Sequence, residues 1–321
     1  MSSPVAKKMK STKVIGTHSG TFHCDAATPP SVRAATNALT AVDPLDIVVD
    51  VGGVYDPAKQ RYDHHQRGFT EVFGFGGYDR TKLSSAGLVY KHFGKHIIAK
   101  QLGVPESDPK VETLWLQLYG ELIESIDGID NGVNIAQGEL AYAQRTDLSS
   151  RVRRLNPRWN EPASDDDYDA RFAVASKTTG DEFLQQLDYF ANAWLPARDV
   201  VKEALEKRHE VDPSGKIVVF KQDHLFSLEP TMAKETKILY VLYPENPDNE
   251  NSKWRIQCVP ESPDSFTNRK SLPAAWRGLR DEELSKESGI PGGVFVHASG
   301  FIGGNETFNG VLAMARAALN E

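Results

Sequence analysis

Apolar residues in this chain recur at the two spacings that separate strands from helices. KVIGTH (13–18) and DIVVDV (46–51) are short β-branched runs bounded by glycine, proline or polar residues, which predicts two buried strands. VYDPAKQRYDHH (54–65) carries the turn dipeptide Asp56-Pro57, so a hairpin is expected there. SAGLVYKHFGKHIIAKQLG (85–103) has helical periodicity and follows an N-capping Ser84 or Ser85. Val111, Leu114, Leu118, Leu122 and Ile126 then predict a helix opening just after Pro109. It runs into ESIDGIDNGV, where Asp127 and Asp130 lie three residues apart and share a face if the last turn persists.

Further along, NPRWNEPASDDDYD (156–169) reads as a polar surface loop, and 181–208 as a long amphipathic helical stretch interrupted at Pro196. KIVVF, KILYVLY and WRIQCV then predict three strands of a second α/β unit. Strands and helices interleave throughout, so the fold class expected is α/β. The organisation expected is a parallel-sheet domain over 13–145, a helical connector over 146–212 and a smaller α/β domain over 213–321.

Composition narrows function only where it excludes something. The 321 residues are 40% hydrophobic and 25% charged, which suits a globular chain of two domains. A net charge of -7 argues against coating nucleic acid through bulk charge and leaves room for a local basic channel. With only Cys24 and Cys258, neither a disulfide framework nor a thiolate zinc site is expected, and a reducing compartment follows. No apolar run approaches the roughly 20 residues that span a bilayer, so no membrane partner is expected. The lysines of the SSPVAKKMKSTK tail form at most a weak nuclear or organellar address on a solvated end.

The chemistry concentrates near the amino end. THSGTFHCD (17–25) presents His18, His23 and Asp25 at a strand end, DIVVDVGG places Asp50 at the end of an apolar strand, and RYDHHQRGF carries Asp63, His64 and His65. Strand ends are where loops converge on ligands in α/β sheets. A carboxylate among valines is costly to bury unless it is paired or metal-bound. Mixed carboxylate oxygen and imidazole nitrogen suit Mn2+, Mg2+, Fe2+ or Zn2+ in a catalytic site. In an extended DHH tripeptide the two histidines point to opposite sides, one toward metal and the other toward a phosphate.

The strings DVGGVYDPAKQRYDHHQRGF, TKLSSAGLVYKHFG, IDGIDNG, WRGLRDEEL and SGIPGGVFVHASGFIGGN resemble the MYG-one (melanocyte proliferating gene one) family, relatives of the DHH phosphoesterases, from about Lys13 to the carboxyl end. The resemblance implies a DHH-like catalytic domain and a metal-dependent 3'-5' exonuclease acting on single-stranded RNA, in the nucleus or mitochondrion, with the cytoplasm also open. It implies metal ligands His18, His23, Asp25, Asp50, Asp63, His64 and Asp127, holding two divalent ions, Mn2+ or Mg2+. Such a pair, about 3.5–4 Å apart, acidifies water and stabilises the oxygens of an in-line displacement. Asp50 is expected to bridge the ions, and the catalytic set is Asp50, His64 and His65, with His65 facing phosphate.

The late Gly-rich segment resembles a substrate clamp. Gly293, Gly300, Gly303 and Gly304 would let backbone N–H groups approach phosphate, and His297 and Ser299 would add polar contacts. Lys82, Arg269 and Arg277 are further substrate-binding candidates, with Lys270 and Arg280 alongside the RNA path. One stretch departs from the family. Ala26 to Leu45 has Ala26 where an acidic residue is expected and Pro29-Pro30 where a helix should run. Two alternatives therefore stand beside the exonuclease: a small-nucleotide or pyrophosphate phosphatase with the same metal site, and a non-catalytic RNA- or metal-binding protein. Substrate length and metal-dependent turnover separate them.

Overall fold

A computed structural model of the chain describes residues 15–27, 45–221, 237–262 and 265–321. The lysine-bearing tail and most of the departing segment, 28–44, lie outside the described residues. The chain divides into two compact units, residues 1–191 and 192–321, each with its own mixed sheet and covering helices. The α/β class expected from the interleaved pattern is observed.

In the first unit, β1 (Ile15–Gly16), β2 (Ile47–Val49), β3 (Tyr55–Asp56) and β4 (Arg61–Tyr62) form a sheet in the order β1-β2-β4-β3. The first three in that order run parallel, and β3 closes antiparallel on β4. The hairpin turns where expected: Pro57 opens a tight 3-10 turn, and the Asp56 carboxylate accepts from the Ala58 and Lys59 N–H groups. A four-residue turn, α1 (Cys24–Ala27), follows β1. The helices α2 (Ser85–Leu102), α3 (Pro109–Leu118), α4 (Glu124–Asp130), α5 (Leu148–Arg153) and α6 (Asp165–Tyr189) complete the unit. α1 packs against α2, α4, α5 and α6.

The helix expected from Val111 to Ile126 is broken by a π-helical turn, Tyr119–Ile123, between α3 and α4. Leu114, Leu118, Leu122 and Ile126 are nevertheless all buried. Steps of four residues drift by about 40° each on a 3.6-residue helix. A wider π turn absorbs that drift and keeps the stripe inward. The polar stretch 156–169 is a loop only as far as Ala163, because Ser164 caps α6 in a reciprocal pair with Asp167.

In the second unit, α7 (Leu195–Glu206), with Pro196 in its first turn, and the short α8 (Arg208–Val211) precede the sheet. Its strands are β5 (Ile217–Val219), β6 (Tyr240–Pro244), β7 (Trp254–Cys258), β8 (Gly293–Val296) and β9 (Ile302–Asn305), in the order β5-β6-β7-β9-β8. The three strand runs read from sequence are β5, β6 and β7. Along β6, Tyr240 and Leu242 join a core with α9 (Asp281–Ser288) and α10 (Phe308–Asn320), while Val241 and Tyr243 join one with α7. That is the period-2 alternation of a sheet covered on both faces. Both cysteines are free and buried. Among the described residues no helix is long and apolar enough to cross a membrane.

Candidate metal centre

The site forms where β1, β2 and β4 end. Asp50 follows β2 with φ 59°, in the left-handed region, and its N–H donates to Tyr62 O at 3.1 Å. Asp tolerates this conformation better than most residues, and such outliers persist where surrounding structure holds them. Gly52 and Gly53 follow with φ 99° and 65°. They turn the chain so that the Gly53 N–H donates to Asp63 Oδ2 at 2.5 Å, pinning the second motif to the third.

Asp50 is the meeting point of the histidines. His18 Nε2 lies 3.4 Å from its Oδ2, while His64 Nδ1 and His65 Nδ1 lie 3.8 and 3.6 Å from its Oδ1. Ser85, at the start of α2, donates from Oγ to Asp50 Oδ1 at 3.2 Å. Asp63 Oδ1 accepts from the His65 backbone N–H at 3.0 Å and lies 2.8 Å from His65 Nδ1. One donor atom from each of Asp50, Asp63, His64 and His65 lies within 4.8 Å of the others, a spacing able to hold a metal ion.

The same holds for a second group, His23, Asp25 and Asp130. His64 joins the two, because its Nε2 reaches Asp130 Oδ2 at 3.0 Å. His23 Nδ1 lies 3.9 Å from Asp130 Oδ1. Burial, the largest influence on Asp130, pushes its pKa upward, but the His64 hydrogen bond and the nearby His64, His23 and His65 charges outweigh it and hold it below the ordinary carboxylate range. For His64, burial pulls downward, and Asp130, Asp50 and Asp63 together raise it.

Asp25 is the exceptional member. It is 1% exposed, and neither carboxylate oxygen has a hydrogen-bond partner among the described residues. Burial, then the Asp50 and Asp130 carboxylates, push its pKa well above the usual range. A carboxylate buried without a donor and beside two others is costly by itself, and a divalent cation removes that cost. The mixed donor set of carboxylate oxygen and imidazole nitrogen fits a divalent cation.

At two of the expected site residues these contacts show a geometry that the sequence does not announce. The DHH segment is not extended: the Gln66 N–H turns back to His64 O at 2.7 Å, and the His64 and His65 rings lie side by side, tilted by 33° with centroids 4.2 Å apart. The two histidines differ in exposure instead, with side chains 6% and 62% exposed. Asp127 is placed outside both metal-compatible groups. Its Oδ1 accepts from Ser84 N–H, Ser84 Oγ and Gly87 N–H at 2.9, 2.7 and 3.0 Å, and its Oδ2 from Tyr119 Oη at 3.1 Å. It satisfies the start of α2, whose N-cap residue is Ser84, from a neighbouring helix. A Cβ on Gly87 would meet Asp127 Oδ2 at 2.3 Å, so the close approach requires glycine. Burial pushes the Asp127 carboxyl up to about 7 despite these four donors.

Asp130, three residues on, occupies the place expected of Asp127. The two substitutions are therefore expected to behave oppositely. Asp127→Ala leaves four buried donors unmatched and should cost roughly 3–4 kcal/mol of stability, read from denaturant unfolding. Asp130→Ala should leave the unfolding midpoint of the metal-free protein within about 1 kcal/mol and weaken Mn2+ binding, read by calorimetry. Equal loss of stability in both would contradict these placements.

Residues with no ligand chemistry of their own position the first motif. Asn156 accepts from the Phe22 N–H at 3.0 Å and donates to Phe22 O at 2.9 Å, and Thr179 of α6 donates to Ala27 O at 2.8 Å. Phe22 packs edge-on against Phe172, with centroids 5.5 Å apart. These contacts span more than 130 positions, and no local pattern announces them.

The substrate-binding candidates divide. Lys82 lies in the first unit, where Asn131 Nδ2 donates to its carbonyl at 2.9 Å. In the second unit, Arg269, Lys270 and Arg277 each donate to a backbone carbonyl, of Ile238, Leu319 and Leu272. Gly293, Gly303 and Gly304 sit where a Cβ would meet neighbouring strands and side chains at 3.0 Å or less, and Gly300 lies against Arg277 with φ 74°. Close packing is one reason for glycine at these positions. His297 and Ser299 are exposed at a strand-connecting turn and paired, Nδ1 to Oγ, at 2.9 Å.

With this geometry in hand, comparison with known proteins gives the lineage. Residues 14–319 match the model of the family described as Uncharacterised protein family (UPF0160), the MYG1 exonuclease model. The chain belongs to the MYG1 family. The human MYG1 exonuclease is 49% identical over 327 residues, covering 95% of this chain and 85% of that protein. A MYG1 protein of Caenorhabditis elegans is 46% identical, covering 96% and 95% of the two chains, and one of Saccharomyces cerevisiae is 37% identical, covering 97% and 96%. No solved structure matches the chain. As a MYG1 member, the chain carries the resemblance read from its DVGG, DHH and DNG strings over nearly its whole length.

Proposed function

We propose that this MYG1 protein is a divalent-metal-dependent phosphodiesterase that removes nucleotides from the 3' end of single-stranded RNA. The observation that carries the reading is Asp25, a buried carboxylate without a donor, beside Asp50 and Asp130. Two ions are proposed. Asp50, Asp63 and His64 would hold one, with His65 beside it, and His23, Asp25 and Asp130 the other, with His18 directed at Asp50. Bound there, divalent ions supply acidified water and positive charge for the phosphoryl oxygens.

The chain's own groups do the rest. Ser85 and Gly53 fix the Asp50 and Asp63 carboxylates in place. His65, the exposed member of the histidine pair, is held by Asp63 through Nδ1 and is proposed to meet a phosphate oxygen through Nε2. The name of the human relative supports an exonuclease. RNA as substrate, the 3'-5' direction, a DHH-like catalytic fold, a clamping role for His297 and Ser299, and residence in nucleus or mitochondrion are proposed on the family resemblance.

The test uses 5'-labelled single-stranded RNA with Mn2+. The expected outcome is a ladder shortening one nucleotide at a time, with immediate release of the terminal nucleotide when the label is at the 3' end, and arrest by a chelator. Turnover confined to dinucleotides or pyrophosphate would transfer the site to a small-nucleotide phosphatase. Absence of metal-dependent turnover on RNA, DNA and dinucleotides alike would contradict the phosphodiesterase and favour a binding role.

A further inference from the structure

Beside the second group of ligands lies an open cavity of about 260 Å³, lined in part by His23, Asp25, Asp130, Ile129, Ser149 and Arg153. Its size falls just below the roughly 300–1,000 Å³ typical of small-molecule sites, so it encloses one nucleotide unit rather than several. α5 supplies its basic side. Arg151 is committed to Glu182 at 2.7 Å and Arg154 to the Arg145 carbonyl at 2.9 Å. Arg153 differs from both. Its guanidinium has no ion pair or hydrogen bond among the described residues, although it shares the cavity with two carboxylates. It is the one permanent cation among the described lining residues.

An exposed guanidinium that lines the same cavity as two carboxylates, with no ion pair to them, leaves room for an anion that both sides can hold once cations sit on the carboxylates. Phosphate matches that demand, because its oxygens accept from the guanidinium fork while others face the cations. Ile129, half exposed at the same cavity, offers an apolar surface for a sugar or base.

We propose that Arg153 binds a phosphate oxygen of the terminal nucleotide in this cavity, making it the subsite that measures out one nucleotide per cut. The proposal rests on the phosphodiesterase reading for its substrate and on the cavity for its location. Arg153 is a substrate-binding residue of unit 1, absent from the candidates read from sequence.

The experiment compares wild type, Arg153→Ala, Arg153→Lys and Arg151→Ala in the full chain. Adenosine monophosphate binding is titrated by calorimetry with Mn2+ present, Mn2+ binding is titrated separately, and RNA turnover is followed alongside. Arg153→Ala should weaken adenosine monophosphate binding roughly 10- to 100-fold and raise KM for RNA similarly, with Mn2+ affinity and Tm unchanged. Arg153→Lys should recover only part, since a point charge lacks the fork, and Arg151→Ala should bind as wild type. Undiminished adenosine monophosphate binding in Arg153→Ala, or no binding by the wild type, would overturn the subsite even if RNA is cut. Arg153-dependent binding without turnover of any phosphodiester would keep the subsite and overturn the phosphodiesterase instead.

Discussion

Asp50→Asn and His64→Ala are each expected to reduce Mn2+-supported nucleotide release by on the order of a thousandfold or more. Asp50 is approached by three histidines and by Ser85, and its charge raises the pKa of Asp25, so it lies electrostatically between the two ligand groups. His64 reaches both Asp50 and Asp130. Losing either removes a ligand of one proposed ion and disturbs the ligand group of the other, and contacts elsewhere do not compensate for a misplaced ion. His65→Ala differs in kind. Its ring is mostly exposed, and Asp63 keeps its Gly53 bond without it. The expected result is slower turnover with most Mn2+ affinity intact, separable by calorimetry beside product assays.

Asp25→Asn should uncouple stability from activity. The variant keeps the shape of the side chain and removes a buried ionisable group from beside Asp50 and Asp130. In metal-free protein it is expected to raise stability by roughly 1–3 kcal/mol near neutral pH, or several degrees in Tm, while abolishing metal-dependent turnover. The pH dependence has a definite sign. A carboxyl with a raised folded-state pKa contributes stability that is complete below its unfolded value of about 3.9 and is lost as pH rises through the folded value. The metal-free wild type should therefore fall behind the variant progressively as pH increases. Raised His64 and Asp127 act in the same direction in both proteins, so the difference between the two curves isolates Asp25. Adding Mn2+ should reverse the order by stabilising the wild type more than the variant, which keeps only the first ligand group. A variant less stable than wild type without metal would show that Asp25 has a partner in the metal-free fold.

Much of this site was readable in the chain because it sits at strand ends. β-branched runs closed by glycine located β2 and, through the Asp56-Pro57 turn, the return of Asp63, His64 and His65 beside Asp50. What was not readable depends on tertiary contact. Asp127 and Asp130 are equivalent by spacing, and nothing local states that the first would be drawn into capping α2 by Ser84 and Gly87 while the second turns to His64. The π turn before them shifts the helical phase on which any choice of face would rest. Phe22 and Ala27 are held by Asn156 and Thr179, residues of a stretch that reads as loop and architecture in sequence. For the glycines of 293–304 the sequence does not separate close packing from phosphate approach, and a Cβ at Gly293 or Gly303 would crowd its neighbours.

The central claim is that these side chains form a divalent-metal site, and crystals grown with Mn2+ test it most directly through anomalous scattering at the manganese edge. Two strong peaks are expected, one among Asp50, Asp63, His64 and His65 and one among His23, Asp25 and Asp130, the first vanishing in Asp50→Asn crystals. Saturating Mn2+ with no anomalous density at Asp25 or Asp50 would contradict it.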